Sequence, residues 1–308
     1  MRVHQPGILL TAAEVCLLIA SAHAQTVERD QRIVLNTRLV SITVVVTDQQ
    51  GRALPGLDAD HFRIYDNHVE QQISYFSRDD GPASVGVVFD LSGSMLGGRI
   101  ALARQALERL VETSHPEDEY LIFGFDSKLR LVTRGSPERE SLFEKLKQIE
   151  PRGDTALYDA SCEAIETFEQ ARHRRRALII LSDGEDNQSR LGFRELRRRI
   201  IESGVLVYTV MVGSIIPHSP ARAILNEMAS SSGGRAFFPV NADGLDEAFG
   251  RIANEVRRSY SIAYQPSDFV ADGSMHRLKV DVKPPQPGIK LAVRTRKGYV
   301  ARGSAAEY

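Results

Sequence analysis

Val85-Gly86-Val87-Val88-Phe89-Asp90-Leu91-Ser92-Gly93-Ser94-Met95 runs from a continuous apolar, β-branched segment into a loop of one carboxylate and two hydroxyls. An unbroken apolar run with turn residues behind it reads as a strand buried on both faces, as in a parallel sheet. Gly97-Gly98 follows, then Ile100, Ala103, Leu107 and Leu110 at helical spacing. Asp90, Ser92 and Ser94 therefore fall at the carboxyl end of a central strand, just before a helix. Open α/β sheets bind ligands at that edge. Three hard oxygen donors on alternate residues suit a hard cation such as Mg²⁺.

The rhythm around this stretch supports the same architecture. Apolar strand patterns recur at 119–125, 176–182 and 205–212, with a shorter one at 235–238. Helical patterns fall at 99–113, 138–149, 156–171, 191–202, 221–230 and 244–257, the last with Asp243 as its expected N-cap. Lys128 to Val132 is read as an antiparallel edge hairpin. Alternating strands and helices imply an α/β fold, a doubly wound, mostly parallel sheet covered on both faces.

Both flanks change period. Val40, Ile42, Val44 and Val46 alternate with polar residues within 31–47, and short strands are expected at 62–65 and 72–76 around an Asp66-Asn67 turn. After Ser259 the two-residue period returns in Tyr260-Ile262-Tyr264, Leu278-Val280-Val282 and Ile289-Leu291-Val293. Neither flank has enough strands for a core of its own, so the two are expected to join in one β-sandwich with the α/β domain inserted between them. The expected domains are 25–82 and 258–308 as the two β segments and 83–257 as the α/β domain, with a polar hinge at 77–82. Tyr260, Tyr264 and Tyr299 are assigned to sandwich packing.

Arg2, the apolar stretch from Ile8 to Ala20 and Ala22-His23-Ala24 have the layout of a secretory signal peptide over 1–24, cleaved after Ala24. The expected location is a periplasm or the exterior. The mature chain is then expected to have no transmembrane segment and a lone thiol, Cys162, inside a helical pattern. A formal net charge of -1 over 308 residues gives no basic bias that would suggest nucleic acid. Arg172-His173-Arg174-Arg175-Arg176 and Arg197-Arg198-Arg199 read as solvated faces, with Glu195 placed to pair with Arg199, although a polyanion patch is the other reading. The histidines lack zinc-ligand spacing, and Glu185-Asp186 does not fit a calcium-loop pattern.

Two further loops complete the pattern. Arg152-Gly153-Asp154-Thr155 opens a helix, and Asp183-Gly184 ends a buried strand as Asp90 ends its own. Asp90-x-Ser92-x-Ser94, the later Thr155 and Asp183-Gly184 together resemble the metal-ion-dependent adhesion site of von Willebrand factor type A domains, over roughly 83–257. The flanks resemble secreted bacterial proteins carrying such a domain, through Val45-Val46-Thr47-Asp48, Asp60-His61-Phe62 and Arg294 to Tyr299. The resemblance implies that Asp90, Ser92, Ser94, Thr155 and Asp183 hold one Mg²⁺, Mn²⁺ or Ca²⁺ ion. It implies direct ligation by the two serine hydroxyls, ligation by Thr155 when a ligand is engaged, and water-mediated roles for the two aspartates. One position of the ion would be left for an Asp or Glu of a protein partner. Asp154 stands where the family often has glycine, either in the outer shell of the ion or weakening an acidic ligand.

The function expected is that of an exported, non-enzymatic, metal-dependent protein-binding module. The alternative is a metal-assisted or serine hydrolase using the same loop. Against it, no Gly-x-Ser-x-Gly elbow surrounds Ser94, and Ser92 stands where aspartyl phosphatases carry a second Asp. No Gly-rich Walker loop is present.

Overall fold

The computed structural model describes residues 39–78, 80–93, 99–113, 115–135, 154–212 and 217–302. The expected signal peptide, the helix at 138–149, residues 31–38 of the first strand pattern and Ser94 lie outside the described residues.

Six strands build the central sheet. They are β5 (Ser84–Asp90), β6 (Glu119–Phe125), β7 (Leu129–Gly135), β8 (Arg176–Ser182), β9 (Leu206–Met211) and β10 (Ala236–Phe237), in the order β10-β9-β8-β5-β6-β7. All neighbours run parallel except β7, which pairs antiparallel with β6 at the edge. Every residue of β5, β6 and β9 is buried, the physical reason their sequences show no alternation. Among the described residues five helices cover the two faces: α1 (Arg99–Thr113), α2 (Leu157–Glu166), α3 (Phe193–Ser203), α4 (Pro220–Ser232) and α5 (Ala242–Arg257).

Val85, Val87, Phe89 and Leu91 pack with Leu107 and Leu110 of α1 and Leu245, Phe249 and Ile252 of α5. Val88, Leu178 and Ile180 point to the opposite face, onto Leu157 and Cys162 of α2, Leu196 and Ile200 of α3 and Leu225 of α4. Burial pushes the Cys162 thiol up to about 12, so it stays protonated and serves as packing. Among the described residues no helix is long and apolar enough to cross a membrane.

The flanks supply two antiparallel four-stranded sheets. Their strands are β1 (Val40–Thr47), β2 (Phe62–Asp66), β3 (Val69–Gln71), β4 (Ile73–Ser77), β11 (Tyr260–Tyr264), β12 (Met275–Val282), β13 (Ala292–Arg294) and β14 (Gly298–Val300). One sheet runs β13-β1-β11-β4 and the other β14-β12-β2-β3. Their facing residues, among them Val44, Val46, Phe62, Ile64, Tyr260, Ile262, Val280 and Tyr299, form one core. The sandwich expected from the joined terminal segments is thus observed.

Several local expectations change. The strand expected at 72–76 is β4, and a further short strand, β3, precedes it: β3 stays with β2, and the chain crosses at Gln72 so that β4 joins β11 in the other sheet. The pattern at 156–171 is an α-helix that tightens into a 3₁₀ turn over Thr167–Gln170. The pattern at 289–293 shortens to β13, and β14 follows it. Asn241, not Asp243, caps α5, its side chain accepting the Gly244 N–H at 2.8 Å. Tyr264 and Tyr299 do more than pack: both hydroxyls donate to the buried Asp66 carboxylate, at 2.9 and 2.7 Å, and His276 Nδ1 lies 2.7 Å from its other oxygen. Within the basic runs, Arg175 is not solvated. It is buried and donates to Gly81 O at 2.7 Å and Ser259 O at 3.3 Å, on the two connections between the sheet domain and the sandwich.

Candidate metal centre at the carboxyl edge of the sheet

Parallel register carries three loops to one edge. Asp90 is level with Phe125 of β6, and Phe89 is level with Leu181 of β8. The Leu91 N–H extends the ladder by donating to Phe125 O at 2.7 Å. Leu91 itself packs over Gly124, where any Cβ would come within 2.5 Å of its Cδ1. A side chain at 124 would therefore push the Leu91 side chain out of its place beside Asp90 and Ser92.

Asp90 is fully buried. Its Oδ1 accepts the Ser92 N–H at 2.9 Å, and its Oδ2 accepts the Ser182 hydroxyl at 2.7 Å. Ser182 Oγ in turn accepts the Gly184 N–H at 3.0 Å, turning the chain directly after Asp183. Gly184 holds φ at +83°, and a Cβ there would lie 2.9 Å from Ala221 O. Asp183 is half-buried and accepts the Glu185 N–H at 3.1 Å.

Thr155 is buried at the start of α2. Its N–H donates to Asn187 Oδ1 at 2.9 Å, and its carbonyl accepts the N–H groups of Asn187 and Gln188. The next residue, Ala156, donates to Asp126 O at 2.8 Å, just past β6. The first turn of α2 has no local side-chain cap. The 183–191 loop satisfies it instead: Tyr158 N–H donates to Asp186 Oδ1 and Ser189 Oγ, and Asp159 accepts from Arg190 N–H and Leu191 N–H.

Asp90, Ser92, Thr155 and Asp183 thus lie on three loops at one rim, the Asp90 and Thr155 loops each bonded to the segment around Asp183; Ser94 lies outside the described residues. Asp154 is exposed and accepts from Gln188 Nε2 at 3.1 Å. Ser182, Asp186, Asn187 and Ser189 support the rim and were missed by motif reading. Asp186 and Ser189 cap a helix that precedes them by about thirty residues, so no local spacing marks them.

Burial pushes the Asp90 carboxyl above its ordinary range; hydrogen bonds from Ser92 and Ser182 oppose the rise, and the Asp183 charge adds to it. Among the described residues no Lys, Arg or His forms an ion pair with Asp90 or Asp183. A desolvated carboxylate beside a second one, with only neutral donors around it, is an electrostatic deficit that a cation corrects. The donors are carboxylates and hydroxyls without thiolate or imidazole, the set that fits Mg²⁺, Mn²⁺ or Ca²⁺.

A doubly wound sheet with an oxygen-lined rim before its first helix places the central domain in a known class. Residues 85–185 match the von Willebrand factor type A domain. It is similar to inter-alpha-trypsin inhibitor heavy chain H4 of Bos taurus, 24% identical over 233 residues, 68% of this chain and 25% of that protein. It is also similar to human inter-alpha-trypsin inhibitor heavy chain H3, 29% identical over 118 residues, 34% of this chain and 13% of that one. The chain spans a quarter or less of the length of these relatives. A solved von Willebrand factor type A structure from Catenulispora acidiphila superposes with a TM-score of 0.50 at 14% identity, covering 88% of this chain and 76% of the other.

Proposed function

We propose that the chain is an exported, non-enzymatic binding module that captures a protein partner through a divalent cation held by Asp90, Ser92, Ser94, Thr155 and Asp183. The observation that carries this reading is the buried Asp90 carboxylate, facing Asp183 without a basic partner among the described residues. In this proposal Mg²⁺, or Mn²⁺ or Ca²⁺ in its place, supplies a Lewis-acidic point that attracts an Asp or Glu of the partner. Ser182 and the Ser92 N–H hold Asp90 in orientation, and Asn187 holds Thr155 against the Asp183 loop. Neutral hydroxyl ligands leave more positive charge on the ion for a foreign carboxylate than a ring of carboxylates would.

Calorimetry tests the site. Mg²⁺ or Mn²⁺ binding is expected in the wild type and lost in Asp90→Ala; undiminished binding in that variant removes the assignment. Partner capture from the cell envelope is expected to be abolished by EDTA. Turnover of ester or phosphate substrates that disappears in Ser94→Ala would replace the binding role with a hydrolytic one.

A further inference from the structure

A second site lies away from the rim, where α3 and the loop before β14 meet the outer face of β12. It is a pocket of about 540 Å³, within the size range of small-molecule sites. Arg197, Arg277, Lys279 and Lys297 line it, and no Asp or Glu does. Ile201 and the Tyr65 ring give it an apolar wall.

The sequence run Arg197-Arg198-Arg199 divides here. Arg198 and Arg199 are absorbed by carboxylates on their own side of α3: Arg198 pairs with Glu195 and Glu202, and Arg199 with Glu195 at 3.0 Å. Hydrogen bonds from Arg198 and Arg199 hold Glu195 down at about 2. Arg197 turns the other way and shares one carboxylate, Glu227, with Lys297, at 2.7 and 3.0 Å. Lys279 pairs with Asp281 at 2.8 Å and lies 5.5 Å from the centroid of Tyr65. The exposed Arg277 guanidinium has no side-chain ion pair among the described residues; its backbone is engaged by Asn67, whose side chain accepts the Arg277 N–H and whose own N–H donates to the Arg277 carbonyl. Four cations therefore meet two carboxylates, Glu227 and Asp281, neither of which is in the pocket wall, and a positive excess remains at its mouth.

We propose that this pocket binds a small organic oxyanion, phosphate-like in charge, with its anionic oxygens on Arg277, Lys279 and Lys297 and its body against Tyr65 and Ile201. Arg277 presents a planar fork suited to two oxygens at once, and Lys279 and Lys297 add point charges. Shared pairing to Glu227 restrains Arg197 and Lys297 before any ligand arrives, which lowers the ordering cost of binding. A cationic pocket with a partly apolar wall concentrates anions and selects those with an organic body.

The test is calorimetry on the full chain with inorganic pyrophosphate and with phenyl phosphate, in the presence of EDTA. One saturable site is expected, with the two probes competing and affinity falling as salt rises. Arg277→Glu and Lys297→Gln should each weaken binding by about tenfold or more, while Lys290→Glu, a matched charge change outside the pocket wall, should not. Asp90→Ala should bind both probes as the wild type does, which separates this site from the rim. Absence of saturable binding by both probes, or an equal loss in Lys290→Glu, overturns the proposal.

Discussion

Asp90 shows how a functional requirement shapes a single residue. Its carboxyl is driven upward by burial, held back by hydrogen bonds from Ser92 and Ser182 and driven further by Asp183, so a negative charge at this place is unfavourable in the metal-free protein. Replacing it with Asn removes the charge and keeps the shape. Asp90→Asn is therefore expected to match or exceed the wild type in thermal midpoint when both are measured in EDTA, while losing Mg²⁺ affinity by calorimetry. A clear drop in midpoint under EDTA would mean that the carboxylate is already compensated without metal. Gly184 is constrained in a different way. Its backbone is left-handed, and a methyl group would press on Ala221 O, so Gly184→Ala should lower stability in urea titration by roughly 2 kcal/mol.

Strands β5, β6 and β8 and helix α1 were legible in the sequence because burial on both faces, or a steady helical period, writes itself into residue type. The split of β3 from β4 was not. Gln71-Gln72 carries no turn residue, and the change of sheet is imposed by which neighbour each half meets. Strand β14 was hidden because three residues, Gly298-Tyr299-Val300, are too few to show a period. The site divides along the same line: Asp90, Ser92, Thr155 and Asp183 were readable as a motif, whereas the residues that cap α2 come from a loop about thirty residues later. That loop serves the helix that presents Thr155, so a small change in it should reach the rim. Ser189→Ala removes an acceptor for the Tyr158 and Asp159 N–H groups and is expected to cost about 1 kcal/mol. Hydrogen exchange should quicken in the first turn of α2 and not in α3; unchanged exchange there would show that Asp186 alone caps the helix.

Across the whole molecule, polar contacts tie the sheet domain to itself at the end opposite the rim and to the sandwich beside it. Glu119, at the amino end of β6, accepts the Ser84 hydroxyl at 2.6 Å and the Arg172 N–H at 2.8 Å, with Arg134 at 3.4 Å. Burial would raise its carboxyl, but these donors outweigh it and hold the group below its ordinary 4.5. A depressed acid contributes stability that is present above the unfolded value and lost as pH falls through the folded one. Glu119→Gln should therefore be less stable than the wild type by about 2 kcal/mol at neutral pH, with the gap closing below pH 4.5. A constant gap across that range would assign the loss to shape rather than charge. The contact with the sandwich is of another kind. Glu255 of α5 is buried, with Arg294 of β13 2.7 Å away and Arg235 at 3.9 Å. Both partners lost their water when the two parts came together, so the pair's net worth is small, whereas an unpaired survivor is costly. Arg294→Met alone is expected to destabilise by about 3–5 kcal/mol, because Glu255 is left buried without its nearest partner. The double variant Arg294→Met with Glu255→Gln should recover most of that loss in denaturant titration, since it removes the stranded charge. If the double variant is as unstable as the single, Arg294 acts through packing between β13 and α5, and Arg235 is sufficient to neutralise Glu255.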